Sequence, residues 1–227
     1  MDLNAHYTQL WDTARQRIEA GEYEVDPLIG APADTRRGLT LVARPSTETK
    51  ERMQAVLQEL KQLEPEQYAY PIADLHLTLL SIISCYPDFK LSTVSVEEYV
   101  CLTQETFKNI HPFTVNFTGV TASASCVMAQ GFPADATLEQ LRNQLRRAFK
   151  SSGLQQTIDS RYTIQTAHAT LLRFRKPLRH PQKLLNTLEH LRDYFFGASR
   201  IHEVELVYND WYQRQQHVQV LAKFPLT

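Results

Sequence analysis

The pentapeptide His-x-Thr-Leu-Leu occurs twice in this chain of 227 residues, as His76-Leu77-Thr78-Leu79-Leu80 and as His168-Ala169-Thr170-Leu171-Leu172. Both copies follow the same run of elements. Gly38 to Ala43 reads as a strand, Pro45 with Ser46 or Thr47 as a break and cap, and Glu48 to Leu63 as a helix with Met53, Val56, Leu57 and Leu60 on one face. Cys126 to Gln130 likewise reads as a strand, and Pro133 with Asp135 or Thr137 as a break and cap. Leu138 to Lys150 then reads as a helix with Leu138, Leu141, Leu145 and Phe149 facing inward. From helix start to histidine is 28 residues in the first unit (48 to 76) and 30 in the second (138 to 168). A chain that repeats strand, helix and motif strand at this spacing is expected to build two similar lobes.

The remaining segments fit around those units. Tyr7, Leu10, Trp11, Ala14 and Ile18 recur at helical spacing before Gly21, and Glu22 to Thr35, with Pro27, Gly30 and Pro32, reads as a connection over the surface of the main domain. Residues 1–35 are therefore expected to form an N-terminal helix and connecting segment, and 36–227 the bilobal domain. A helix is predicted around Glu97 to Lys108 and a strand at Phe113 to Thr121. In the tail, a helix is predicted near Gln182 to Phe195 and strands at Ile201 to Tyr208 and His217 to Phe224, the last two joined through Asn209 to Gln216. Strands and helices mix without regular alternation, which favours an α+β architecture over a doubly wound parallel sheet.

Composition removes several function classes. No apolar run approaches membrane-spanning length and the start is polar, so the expected compartment is the cytoplasm. Cys85, Cys101 and Cys126 are an odd set at wide spacings, unlike a disulfide framework or a zinc pattern. A formal net charge of −1 argues against tight binding to long duplex nucleic acid, and leaves a cyclic phosphate, a nucleotide or a short RNA as partner. Oligomeric state is open at this level.

A bare His-x-Thr is weak evidence, and His6-Tyr7-Thr8 also fits it, outside the repeated units. The other two stand apart because both continue as Leu-Leu and occupy matching places. On a strand, residues two apart share a face about 7 Å apart, so His76 and Thr78 point together while Leu75, Leu77 and Leu79 anchor the opposite face. Two such strands related by approximate two-fold symmetry set two imidazoles and two hydroxyls around one cleft. A neutral imidazole can take a proton from water or a ribose hydroxyl while the other, protonated, gives one to the leaving oxygen. Threonine hydroxyls can hold the non-bridging phosphoryl oxygens. No metal and no cofactor is called for.

The paired motifs, intact at His76, Thr78, His168 and Thr170, closely resemble those of the 2H phosphoesterase superfamily, in particular its branch of bacterial 2′-5′ RNA ligase-like proteins and cyclic phosphodiesterases. The resemblance runs from about Arg37 to Phe224. It implies a bilobal α+β fold with a central cleft, action on 2′,3′-cyclic or 2′-5′ phosphodiester linkages without a metal, and catalysis by those four residues. RNA end joining by the same acid-base pair run in reverse, and a module that sequesters nucleotides without turnover, are the alternatives.

Other residues carry competing readings. Arg173, Arg175, Lys176 and Arg179 follow the second motif and could guide an anion. Strand parity points Arg173 away from His168 and Thr170 unless a bulge redirects it. Trp211 and Tyr212 could stack on a base or pack against adjacent strands, and Tyr86 carries the same two readings. Arg142, Arg146, Arg147 and Lys150 read as the solvated face of the second helix. Asp74, two residues before His76, could join His168 as a metal ligand, but nothing further stands at ligand spacing.

Overall fold

The computed structural model describes residues 2–227. The first repeat forms β1 (Arg37–Ala43), α2 (Thr47–Leu63) and β3 (Leu77–Tyr86); the second forms β5 (Cys126–Pro133), α4 (Thr137–Ser151) and β6 (Ala169–Arg173). Ahead of them lies α1 (Leu3–Glu19), with β2 (Tyr68–Ala69), α3 (Val96–Phe107), β4 (Phe113–Ala122), α5 (Pro181–His190), β7 (Phe195–Ile201), β8 (Glu203–Asp210) and β9 (Gln219–Pro225) completing the chain. Ser46 caps α2 through its hydroxyl, which accepts from the Thr49 N–H. Asp135 accepts from the Thr137 N–H at the start of α4.

All strand pairs are antiparallel, in two sheets ordered β3-β1-β8-β9 and β2-β6-β5-β4-β7. Apart from the added β2, the orders superpose repeat on repeat: β3 matches β6, β1 matches β5, and β8 and β9 match β4 and β7. The architecture is the α+β, two-lobed one that the repeat predicts. The helices, however, cross over. α2 leaves β1 of the first sheet and packs on β7 and β6 of the second, and α4 leaves β5 and packs on β3 and α3. The α2 contact is close enough that a Cβ on Gly197 of β7 would meet Thr49 Oγ1 at 2.9 Å, and Ser199 Oγ donates to the same oxygen at 3.0 Å. Each repeat thus completes the other's core, which ties the two lobes into one apolar cluster.

The amphipathic N-terminal helix buries Tyr7, Trp11, Ala14 and Ile18, with Asp2 capping it by accepting from the Asn4 N–H. The tail departs from expectation. The helix predicted to Phe195 stops at His190, and Phe195–Ile201 is instead a strand beside β4. Leu184, Leu185 and Leu188 supply the buried helical stripe, whereas Gly197, Ser199 and Ile201 alternate inward at strand spacing. Among the described residues no helix is long and apolar enough to cross a membrane.

Candidate active site

The two motif histidines sit immediately before their strands, His76 ahead of Leu77 and His168 ahead of Ala169. One cleft between the sheets is lined by His76, Thr78, His168, Thr170 and Arg173, together with Tyr70, Ser81, Arg161, Tyr162 and Trp211. Leu75, Leu77, Leu79, Ala169 and Leu171 are buried behind the motifs. They fix the backbone that carries the polar side chains forward.

Each ring is tied back through Nδ1. His76 Nδ1 lies 2.8 Å from the Asp74 carbonyl, which only accepts, so Nδ1 carries the proton and a neutral His76 presents an unprotonated Nε2. His168 Nδ1 lies 2.6 Å from Thr166 Oγ1, a hydroxyl that can accept from a charged ring or donate to a neutral one. Burial pushes the His76 pKa down to about 3, with Arg44, His168 and Arg173 adding repulsion against the pull of the Asp74 carbonyl. Burial likewise pushes His168 down to about 4, with Arg173 and Arg142 adding to it. Both imidazoles are neutral in the free protein near pH 7, in a cleft whose fixed charges are largely positive.

Arg173 lines this cleft because of a β-bulge. Met128 of β5 pairs with Thr170 while the next residue back, Val127, pairs with Leu172, so Leu171 is an extra residue in β6. The phase of the strand flips there, and Arg173 emerges on the side of Thr170. The same device stands in β3, where Val42 pairs with Thr78 and Leu41 with Leu80, leaving Leu79 extra. Ser81 occupies the place in the first repeat that Arg173 holds in the second. Arg173 Nε donates to Tyr70 Oη at 3.0 Å, and burial holds the Tyr70 phenol in its protonated form.

The other residues singled out in the sequence fall in different places. Trp211 lines the cleft with Arg161 over its ring at 4.7 Å and Arg36 at 5.6 Å. Tyr212 is fully buried, its hydroxyl bonded to Asp26 and Arg36, and Tyr86 lies outside the cleft lining, packed on Phe89 and accepting from Gln155 Nε2. The Asp74 carboxylate accepts from the Gln215 N–H and is absent from the cleft lining. No group of three His, Cys, Asp or Glu side chains converges among the described residues. Lys176 and Arg179 pair with Glu66 and do not line the cleft. Arg142 corrects the sequence reading outright: it is 3% exposed, because it lies within the apolar stripe of α4 and not on its solvated face.

The sequence matches no family model and no curated protein. Solved structures do match it in three dimensions. Escherichia coli LigT complexed with 3′-AMP is 20% identical, with a TM-score of 0.59, over 85% of this chain and 99% of that one. The TT0787 protein of Thermus thermophilus is 16% identical, with a TM-score of 0.62, over 83% and 97%. The chain has a LigT-like fold. A further structure described as a phosphoesterase is 19% identical, with a TM-score of 0.57, over 85% and 99%. Other LigT structures are complexes with ATP, NADP+ and phosphate. At these identities the likeness is one of fold, and the chemistry has to be argued from this chain's own residues.

Proposed function

We propose that this protein is a metal-independent phosphodiesterase that hydrolyses 2′,3′-cyclic or 2′-5′ phosphodiester linkages in RNA ends, nucleotides or related small molecules. The observation that carries the reading is the pair of imidazoles, one from each repeat, held by Nδ1 in one cleft with two threonines and an arginine. The nucleotide complexes of LigT, which has the same fold, support a ligand of that class. On a 2′,3′-cyclic phosphate, neutral His76 takes a proton from water as its oxygen attacks phosphorus. One ribose O–P bond breaks, and protonated His168 gives its proton to the departing ribose oxygen, leaving a phosphomonoester. Thr78, Thr170 and Arg173 donate to the non-bridging oxygens, whose charge grows in the transition state.

A mass-spectrometric assay with 2′,3′-cyclic nucleotides, 2′-5′ oligonucleotides and cyclic oligonucleotides tests this directly. Hydrolysis adds one water to the substrate. Binding with no change of mass across the whole panel would replace the reading with sequestration.

The depressed histidine pKa values have a kinetic consequence. Turnover needs one imidazole charged and one neutral, and in the free protein both lose their protons well below neutrality, to burial and to the neighbouring cations. kcat/KM, which reports the free protein, therefore falls as pH rises through the neutral range. A bound phosphate anion favours the charged imidazolium and raises both pKa values in the complex. The kcat profile is expected to lie at higher pH than the kcat/KM profile. Coincident profiles would show that the free cleft does not hold its histidines neutral.

A further inference from the structure

We propose that Arg142 is a positioning residue that sets the separation of the two His-x-Thr segments while touching no substrate. The guanidinium is buried behind the motifs and is absent from the cleft lining. Its Nε donates to the Leu79 carbonyl at 2.8 Å and its Nη1 to that of Gln165 at 3.3 Å. Nη2 bridges the gap, donating to the Thr78 carbonyl at 2.8 Å and the Thr166 carbonyl at 2.9 Å. One planar fork therefore spans the edge strand of the first sheet and the segment leading into His168.

Three of the four acceptors are functionally placed. Thr78 is a motif residue, Leu79 is the bulge beside it, and Thr166 is the residue whose hydroxyl holds His168 Nδ1. The Leu79 bulge disturbs the ladder with β1 where Arg142 approaches, and β3 is at the edge of its sheet. Among the described residues no carboxylate pairs with the guanidinium, whose acceptors are all backbone carbonyls, and desolvation lowers its pKa to about 10. A buried cation compensated only by carbonyl dipoles is an expensive way to close a helix-sheet contact, since packing alone would be served by the leucines above and below it. What the arginine adds is rigidity of the fork and a positive charge behind His168. The groups facing His168 are Arg142 of α4 behind, Arg173 of β6 beside it and His76 across the cleft, with Tyr7 of α1 next to Thr166.

Two variants of the full chain test this. Arg142→Gln removes the charge and three of the five N–H donors, and Arg142→Lys keeps the charge without the fork. The kinetic arm rests on the phosphodiesterase reading and uses adenosine 2′,3′-cyclic phosphate. Arg142→Gln is expected to lower kcat on the order of 100-fold with KM within about threefold, as a misplaced catalytic group does, and Arg142→Lys, which lacks the fork, to remain about tenfold below the parent. The second arm needs no turnover: the His168 imidazole, followed by NMR, is expected to titrate higher in Arg142→Gln than in the parent and close to the parent in Arg142→Lys. A protein that merely loses stability would melt earlier with kcat per folded molecule and the His168 titration unchanged, which overturns the proposal. Should Arg142→Gln not fold, parent-like kcat in Arg142→Lys overturns it as well. Absence of turnover in the parent would defeat the phosphodiesterase reading alone, because the His168 titration still decides whether Arg142 acts on that ring.

Discussion

Substituting either motif histidine by alanine is expected to lower kcat on a 2′,3′-cyclic nucleotide by about 10³-fold or more, with KM changed by only a few-fold. Loss of a proton transfer in the transition state is worth about 10²–10⁴ in rate; of the other titratable groups lining the cleft, Asp159 is engaged by Arg146 and Lys150, and burial keeps the Tyr70 phenol beside His76 protonated. The double variant is expected to be scarcely worse than either single one, since the rings act as a unit. The two histidines separate when the leaving group no longer needs a proton. On a p-nitrophenyl phosphodiester, His168→Ala is expected to recover much of its activity while His76→Ala remains inactive, because the tautomer held by the Asp74 carbonyl suits His76 to the proposed role of base. Recovery in His76→Ala instead would reverse the assignment, and near-parent activity of both variants on the cyclic nucleotide would end the two-histidine mechanism.

The motif pairs are legible in the sequence because they are redundant: two matching pentapeptides at nearly equal distances, 28 and 30 residues, behind similar helices carry information that one copy does not. Other parts of the cleft left fainter traces. Reading one residue past each motif gives Leu-Leu-Ser81 and Leu-Leu-Arg173, the same offset from the threonine in both repeats, and that offset is odd only because each strand carries a bulge. Alternation alone hides the bulge, so Arg173 reads as facing the wrong way. Arg142 left a trace too, since it stands at i+4 from Leu138 and three before Leu145, inside the apolar stripe where a charged residue is out of place. Tyr70 gave no signal: it reaches the cleft because β2 pairs with β6 across the chain, a long-range event with no local pattern. The crossing of α2 and α4 to each other's sheets is equally silent, because an amphipathic face specifies that it is covered and not by what.

Arg173 then becomes the residue whose loss should rival that of a histidine. It brings a fixed positive charge to the cleft, and its Nε is occupied by the neutral Tyr70 hydroxyl, which leaves the two terminal nitrogens to meet a phosphoryl group in the proposed reaction. Arg173→Met is expected to lower kcat/KM by about 10²–10³-fold, the range found for removing a preorganised donor to a developing oxyanion. Arg173→Lys keeps the charge but not the fork, and is expected to fall between the parent and Arg173→Met. Tyr70→Phe, which frees Nε and loosens the guanidinium without removing it, is expected to cost no more than about tenfold. A second readout separates an electrostatic role from a packing one. Arg173 is one of the cations that depress both histidines, so its removal should raise both pKa values and carry the kcat/KM profile to higher pH. A stable Arg173→Met protein with parent-like kcat/KM and an unmoved profile would mean that the bulge at Leu171 turns this side chain toward the cleft for no catalytic purpose. The matching bulge at Leu79, which presents only the uncharged Ser81, would then be the better guide to what both bulges do: widen the cleft for the group that enters it.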